Sequence, residues 1–320
     1  MCEENEEFSR LVFDEDEEEL VEAEVFLGVG WECEPGQSEK PSRAFNEANP
    51  FRPKWIEAKT LEQARLEAYK TWRKLTEDEE NQWRRGELQC VPTALLLNRK
   101  RCGRFKARLV VLGDKWIPDK ENSVYASVVS QMANRVAAIQ SAKLGFHPIP
   151  YDIGNAFVRA SMGSIKVCIR VPQTFKSSED DCGKRILLRA LYGLPVSARL
   201  WAKALHRDLE ALGWTPSLHE PGVWIMRDND SLVGILTVYV DDCLLACDTP
   251  QRAETELARI NAKHPLTRIN TNKSNDGTLK FDLLGADVEY NASQNCCKIS
   301  MTSFVNKLLR KFDMPSAKPV

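Results

Sequence analysis

The stretch Leu232-Val-Gly-Ile-Leu-Thr-Val-Tyr-Val-Asp-Asp-Cys-Leu-Leu-Ala-Cys247 decides the fold. Its two apolar runs, 232–240 and 243–247, are rich in β-prone residues and flank one charged point, Asp241-Asp242. Short apolar runs broken in this way predict neighbouring strands. A tight hairpin normally carries Asn-Gly or Asp-Gly, because its loop needs positive φ, and no glycine stands at this turn. Two adjacent carboxylates also repel, and burial raises their pKa values unless a cation is close. A bound divalent ion would offset that cost. An ordinary polar turn explains the doublet as well, so by itself it leaves both readings open.

Outward from the hairpin, helices and strands alternate. Residues 196–212 form an amphipathic pattern in which Leu200, Trp201, Ala204, Leu205, Leu209 and Leu212 share a face, with Gly213 as the stop. Segments 147–153, 166–171, 186–188 and 223–226 predict strands, and 135–144 a buried helix. Segments 94–98 and 106–112 predict a hairpin whose turn, 98–104, is basic. A helix starts at Trp55 and runs towards Trp72, and the charged segment 76–86 breaks it. On the far side, Thr249-Pro250 caps a helix to 262. Strands at 281–290 and 297–300 follow, then a last helix over 302–312. The class is α+β, an antiparallel-rich sheet covered by helices.

The 320 residues suffice for one large domain or two modest ones. The formal net charge of −2 hides an asymmetry. Residues 1–24 hold 12 acidic residues and one Arg, leaving 43 basic against 34 acidic residues in the rest. Such a body suits a polyanionic partner, although a solubilising surface has the same composition. Residues 1–50 read as an acidic, disordered leader and 51–320 as the folded domain. No run of 18 apolar residues is present, so no membrane span is expected, and the N-terminus lacks the apolar core of a signal peptide. Ten cysteines without a CxxC pair, and four dispersed histidines, argue against structural zinc and for reduced thiols. Neither GxGxxG nor GxxxxGK[ST] occurs, so a dinucleotide fold and a P-loop are not expected.

A further carboxylate, Asp152, ends the strand 147–153 in Tyr151-Asp-Ile-Gly-Asn-Ala-Phe157. Alone it is an ordinary cap or turn residue. With Asp241 and Asp242 it gains meaning, because carboxylates from distant strands can converge on hard, oxygen-preferring Mg²⁺. Two such ions about 3.5–4 Å apart activate a 3′-hydroxyl and stabilise a leaving pyrophosphate. Phosphoryl transfer of this kind is mainly positioning and charge neutralisation.

A resemblance now rests on blocks that occur in one order. They are Trp55-Ile-Glu-Ala58 through Thr71-Trp72, Arg104-Phe-Lys-Ala-Arg-Leu-Val-Val-Leu-Gly113, and Tyr125-Ala-Ser-Val-Val-Ser130 with Arg135. Asp152–Phe157 with Val171-Pro172 follows, then Leu191-Tyr-Gly-Leu194 through Arg199 and Trp201, Tyr239-Val-Asp-Asp242, and Phe281-Asp-Leu-Leu-Gly285. Together they resemble the reverse-transcriptase domain of Ty1/copia-type retrotransposon Pol polyproteins, from about Trp55 to Phe312.

The resemblance implies a right-hand polymerase fold with fingers, palm and a partial thumb, the thumb or connection starting near residue 291. It implies an RNA/DNA-templated DNA polymerase using two Mg²⁺ or Mn²⁺ ions. Its partners would be template RNA or DNA with primer and deoxynucleoside triphosphates, in the cytoplasm, a virus-like particle or the nucleus. Asp152, Asp241 and Asp242 become the catalytic metal-holding carboxylates, Asp242 the weaker or outer ligand. Tyr239 and Val240 lie near the primer end. Lys106 and Arg108, two apart on a strand and so on one face, grip the triphosphate, Arg as a fork and Lys as a point charge. Two solvated charges are the competing reading. Phe157 excludes a ribose 2′-hydroxyl, with an ordinary core Phe as the alternative. Trp201, Leu205 and Leu209 read as core.

The sequence also departs from the family pattern. Pro195-Val196 replaces Lys-Gln, which puts Val196 where a glutamine would touch the nucleotide. Val-Arg-Ala-Ser follows Phe157 in place of Leu-x-Gly, and Cys168 replaces an aromatic. No RNase H segment fits before Val320, and no integrase zinc pattern or protease DTG/DSG precedes the core. The chain therefore reads as a polyprotein fragment or a domesticated or decaying copy. A catalytically degenerate nucleic-acid-binding remnant is the rival to an active polymerase, and a relic that binds nothing specific is the third reading.

Overall fold

The computed structural model describes residues 35–100, 102–117, 124–126, 128–176, 178, 181–312 and 314. The chain forms β1 (Ser38–Glu39), α1 (Pro41–Ala44), α2 (Arg52–Ala68), β2 (Trp72–Lys74), α3 (Glu77–Arg84), β3 (Cys90–Arg99) and β4 (Phe105–Val111). Next come α4 (Gln131–Lys143), β5 (His147–Ile153), α5 (Ala156–Arg159), β6 (Cys168–Arg170), β7 (Lys184–Leu187), α6 (Ser197–Ala211), β8 (Thr215–Pro216) and β9 (Val223–Asp228). Then follow β10 (Ser231–Tyr239), β11 (Asp242–Cys247), α7 (Pro250–Lys263), β12 (Leu266–Arg268), β13 (Asn272–Lys273), β14 (Leu279–Leu283), β15 (Ala286–Asn291), β16 (Cys296–Ser300) and α8 (Thr302–Lys311). The class is α+β, and among the described residues β3 and β6 form the one parallel pair. No described helix is long and apolar enough to cross a membrane.

The stretch read as one domain falls into two compact units. The first takes the described residues up to 119 and 162–195, the second 120–161 and 196 onward. The reason is topological: β5 enters a second sheet before β6 and β7 return to the first. The first unit's sheet runs β1-β3-β6-β7-β2, with β4 also on β3. Because β1 pairs with β3, the end of the expected leader belongs to this sheet. Residues 1–34 lie outside the described residues.

Helix α2 lays Trp55, Ala58, Glu62 and Leu66 inward at helical spacing. Trp55 meets Phe105 of β4 edge-on at 4.5 Å. Buried Glu62 is satisfied there, accepting from Leu109 N at 3.2 Å and from Arg65 at 2.8 Å. Gly193 has φ +81°, and a Cβ there would stand 2.1 Å from the Val111 carbonyl oxygen, so the 191–194 block needs its glycine.

Segment 76–86, expected to break the helix, is itself helix α3. Thr76 Oγ1 accepts from Glu79 N at 3.3 Å, and Glu79 Oε2 accepts from Thr76 N at 3.0 Å, a capping box. Four acidic residues in its first turn favour the helix N-terminus.

The second unit holds the sheets β12-β5-β11-β10-β9-β8 and β13-β14-β15-β16. Small Ala138 and Ala142 of α4 pack in one buried cluster with Leu244 of β11 and with Phe281, Leu283, Val288 and Tyr290. The Tyr290 hydroxyl donates to the Phe146 carbonyl at 2.9 Å. On α6, Trp201, Leu205 and Leu209 are buried, as their spacing predicts. The expected strand 281–290 is a hairpin, turned at Leu284 (φ +52°) and Gly285 (φ +80°).

Candidate active site

The strand β5 lies beside β11, and Asp152 is the register partner of Asp242. The bond from Ile153 N to Asp241 O, 2.8 Å, skirts this pair. It is therefore a non-hydrogen-bonded pair, the kind in which side chains on one face stand closest. Like charges placed this way destabilise a sheet. The Asp242 carboxyl is accordingly pushed up to about 6, first by burial, then by the charges of Asp241, Asp152 and Asp282. Nothing in the sequence says that Asp282, on β14, comes near this pair.

Tyr239 pairs with Asp242, so Val240 and Asp241 form a two-residue loop. Val240 has φ +59°, whereas Asp241 is not among the positive-φ residues. This is the pattern of a type II′ turn, whose first loop position normally holds glycine. A non-glycine residue held at such a positive φ costs on the order of 1–3 kcal/mol. The Trp201 indole N–H donates to the Val240 carbonyl at 2.7 Å. Tyr239 is 39% exposed and Val240 half-buried. Beneath the aspartates, Cys243 and Tyr151 face each other fully buried, and burial pushes both groups up, so both stay neutral.

After Asp152 the chain turns at Gly154 and Asn155, the latter left-handed at φ +60°, ψ 40°. Asn tolerates this better than most residues. The turn opens α5, where Ala156 and Val158 are buried and Phe157 is half-buried. Phe157 thus keeps part of its surface, unlike a fully enclosed core residue.

In the first unit, Lys106 and Arg108 share the half-buried face of β4 and alternate with buried Ala107 and Leu109. Lys106 is drawn down to about 8, by burial first and then by the charges of Arg108, Lys100 and Arg65. The Arg108 guanidinium lies 4.0 Å above the Tyr192 ring, a cation–π contact that orients it. The sequence spacing does not disclose that Tyr192, which stands in one of the blocks, meets Arg108, or that the charges of Lys100 and Arg65 lie near Lys106. Val196 needs correcting: it is 0% exposed at the N-terminus of α6. An apolar β-branched residue at that start turns inward and offers a nucleotide no surface.

Among the described residues no group of three His, Cys, Asp or Glu side chains is gathered to hold a metal ion as it stands. The donor chemistry nevertheless fits a hard divalent cation. Asp152 and Asp242 are register partners, Asp241 is adjacent, and their oxygens carry a repulsion that a cation would reverse.

A family profile described as Reverse transcriptase (RNA-dependent DNA polymerase) matches residues 85–320. The Transposon Ty1-OR Gag-Pol polyprotein of Saccharomyces cerevisiae is 25% identical over 277 residues, 85% of this chain and 15% of that protein. The Ty1-BL Gag-Pol polyprotein gives the same figures. The chain thus spans about 15% of the length of the curated relatives it matches. Among solved structures, telomerase from Candida albicans in complex with a TWJ fragment of telomeric RNA has TM-score 0.40 and 12% identity, over 73% of this chain and 48% of that one. Apo telomerase from Candida tropicalis has TM-score 0.42 and 10% identity, over 82% and 63%.

Proposed function

The chain belongs to the reverse transcriptase (RNA-dependent DNA polymerase) family, and we propose that it is the polymerase core of a Ty1/copia-type retroelement. It extends a primer on an RNA or DNA template with deoxynucleoside triphosphates. The observation that carries this reading is Asp152 opposite Asp242, with Asp241 beside it in a turn held at one carbonyl. We read the first unit as fingers, the second as palm and α8 as the start of a thumb.

Asp152 and Asp241 would hold two divalent ions, with Asp242 as the weaker ligand. When bound, such ions supply the Lewis acid that activates the primer 3′-hydroxyl and stabilises the leaving pyrophosphate. Tyr239 and Val240, at the turn, bear on the primer end. Lys106 and Arg108 take the triphosphate: the oriented Arg108 fork binds two oxygens, and a bound anion draws the proton back onto Lys106. Phe157 packs under the sugar and excludes a 2′-hydroxyl.

A non-catalytic nucleic-acid-binding remnant is the second reading, and the buried Val196 in place of a glutamine favours it. Primer extension on an RNA template with Mg²⁺ or Mn²⁺ separates the two. The polymerase reading expects extension by the chain and none by Asp241→Asn, with both proteins folded. A folded chain that binds primer–template in a salt-dependent way, yet extends nothing with either metal, overturns it in favour of the remnant.

A further inference from the structure

We propose that Trp201 is a positioning residue for the catalytic turn: its indole N–H fixes the plane of the 240–241 peptide and so the aim of Asp241. The inference rests on the polymerase reading above. The tethered oxygen, 2.7 Å from Trp201 Nε1, belongs to the same planar unit as the Asp241 Cα. While the oxygen is held, that plane cannot rotate, and Asp241 leaves the strand in one direction. The alternative primed turn, with positive φ at both loop positions, is reached by flipping this one peptide. Val240, β-branched at φ +59°, has no preference of its own for the conformation it adopts. The turn therefore needs an outside hold.

Trp201 is built to supply it. The ring is 1% exposed and stands edge-on to His264 at 5.2 Å and 88°. His264 Nε2 lies 3.0 Å from the Asp208 carboxylate. Asp208 is two turns beyond Trp201 on α6 and thus on the same side of the helix. Helix α6, the end of α7 and the hairpin meet at this indole. Packing by itself does not direct an indole N–H in this fold. The nitrogens of Trp55 and Trp224, in rings equally buried, find no partner among the described residues.

The test uses the full chain and two ways of removing the N–H. Trp201→Phe keeps an aromatic ring, and a benzothiophene analogue of Trp at 201 keeps the whole volume. Both should lower kcat about tenfold, the upper range for one net hydrogen bond, with the deoxynucleotide KM changed less than about twofold. Amide exchange at 239–242 should accelerate while the melting temperature of the analogue protein stays put. Adding Val240→Gly, which accepts positive φ without strain, should return part of the lost kcat. Wild-type kcat and exchange in the analogue protein would overturn the proposal. So would a loss seen only in Trp201→Phe, with kcat, KM and melting temperature moving together. If the wild-type chain extends no primer, the polymerase reading fails instead, and exchange at 239–242 in the analogue protein decides the tether alone.

Discussion

Glu79 and Asp242 are two poorly exposed carboxylates with opposite surroundings. Arg73 forks Glu79 with bonds of 2.6 and 2.8 Å, Lys166 lies at 3.0 Å, and the Thr76 N–H donates at 3.0 Å. The Arg73 bonds, above all, hold the Glu79 carboxyl well below the usual range against the pull of burial. Around Asp242, burial and three neighbouring carboxylates push the same way, upward. The chain completes the first site itself, and that carboxylate serves the architecture of α3. At the second site it gathers charge of one sign, which suits a cation arriving from solution.

The largest expected effect divides the two sites by activity. Asp241→Asn should cost about a thousandfold or more in kcat, the scale of several kcal/mol of lost charge stabilisation. Glu79→Gln should leave kcat per folded molecule unchanged. Single-turnover primer extension, normalised to folded protein, measures both; equal losses would erase the distinction. Next comes stability, where the signs should differ. Glu79→Ala removes a cap and its bonds and should cost about 1–3 kcal/mol. Asp242→Asn relieves repulsion and should stabilise the metal-free chain at neutral pH by on the order of 1–3 kcal/mol, nearer the lower figure because solvent screens part of the charge. Denaturant melts in EDTA read both, and destabilisation by Asp242→Asn would break the comparison.

A basic counterpart sharpens it. Lys106 sits among cations as Asp242 sits among carboxylates, and its ammonium is drawn down to about 8. A bound triphosphate favours the charged form. Nucleotide affinity should therefore fall as pH rises through about 8, by up to about tenfold per unit. Lys106→Met should bind more weakly and without that slope, as read by nucleotide titration across the range. A slope retained in Lys106→Met would assign the titration to another group.

Much of this was legible in the sequence. Apolar runs disclosed β10 and β11, period two put Lys106 and Arg108 on one face, and the missing glycine marked the turn at Val240 as unusual. The register that sets Asp152 against Asp242 was not legible, because long-range pairing is fixed by the whole sheet and not by either strand. The approach of Asp282 was hidden for the same reason. The Thr76-x-x-Glu79 cap was visible, but the density of charge around it read as a break. Leu284, an apolar residue in a left-handed turn, disguised the β14–β15 hairpin as one strand. Periodicity puts Trp201 in the core, where it lies, yet it gives the face of a helix and not the atom that an indole nitrogen meets. The burial of Val196 is not legible either, because the position of a missing glutamine says nothing about where its apolar replacement points.

The smallest expected effect is the pH dependence of metal stabilisation. Asp242 is raised from an ordinary 3.8 to about 6, so the folded state holds an extra proton between those values. Its contribution to stability is present below the unfolded value and is lost as pH rises through about 6. Glu79 is depressed, so its contribution is present above the ordinary 4.5 and is lost as pH falls below it. Mg²⁺ competes with the proton at Asp242 but not at Glu79. At neutral pH a tenfold excess of Mg²⁺ over its Kd should add about 1.4 kcal/mol, or about 2–5 °C in melting temperature for a chain of this size. That increment should shrink as pH falls through about 6. In Asp242→Asn it should be somewhat reduced and flat with pH. In Glu79→Gln it should keep its full pH dependence, while the acid limb of the metal-free melting curve becomes shallower. A wild-type increment that stays constant from neutrality to about pH 5 would show that the group competing with the proton is not Asp242. Cation binding would then rest on Asp152 and Asp241 without Asp242.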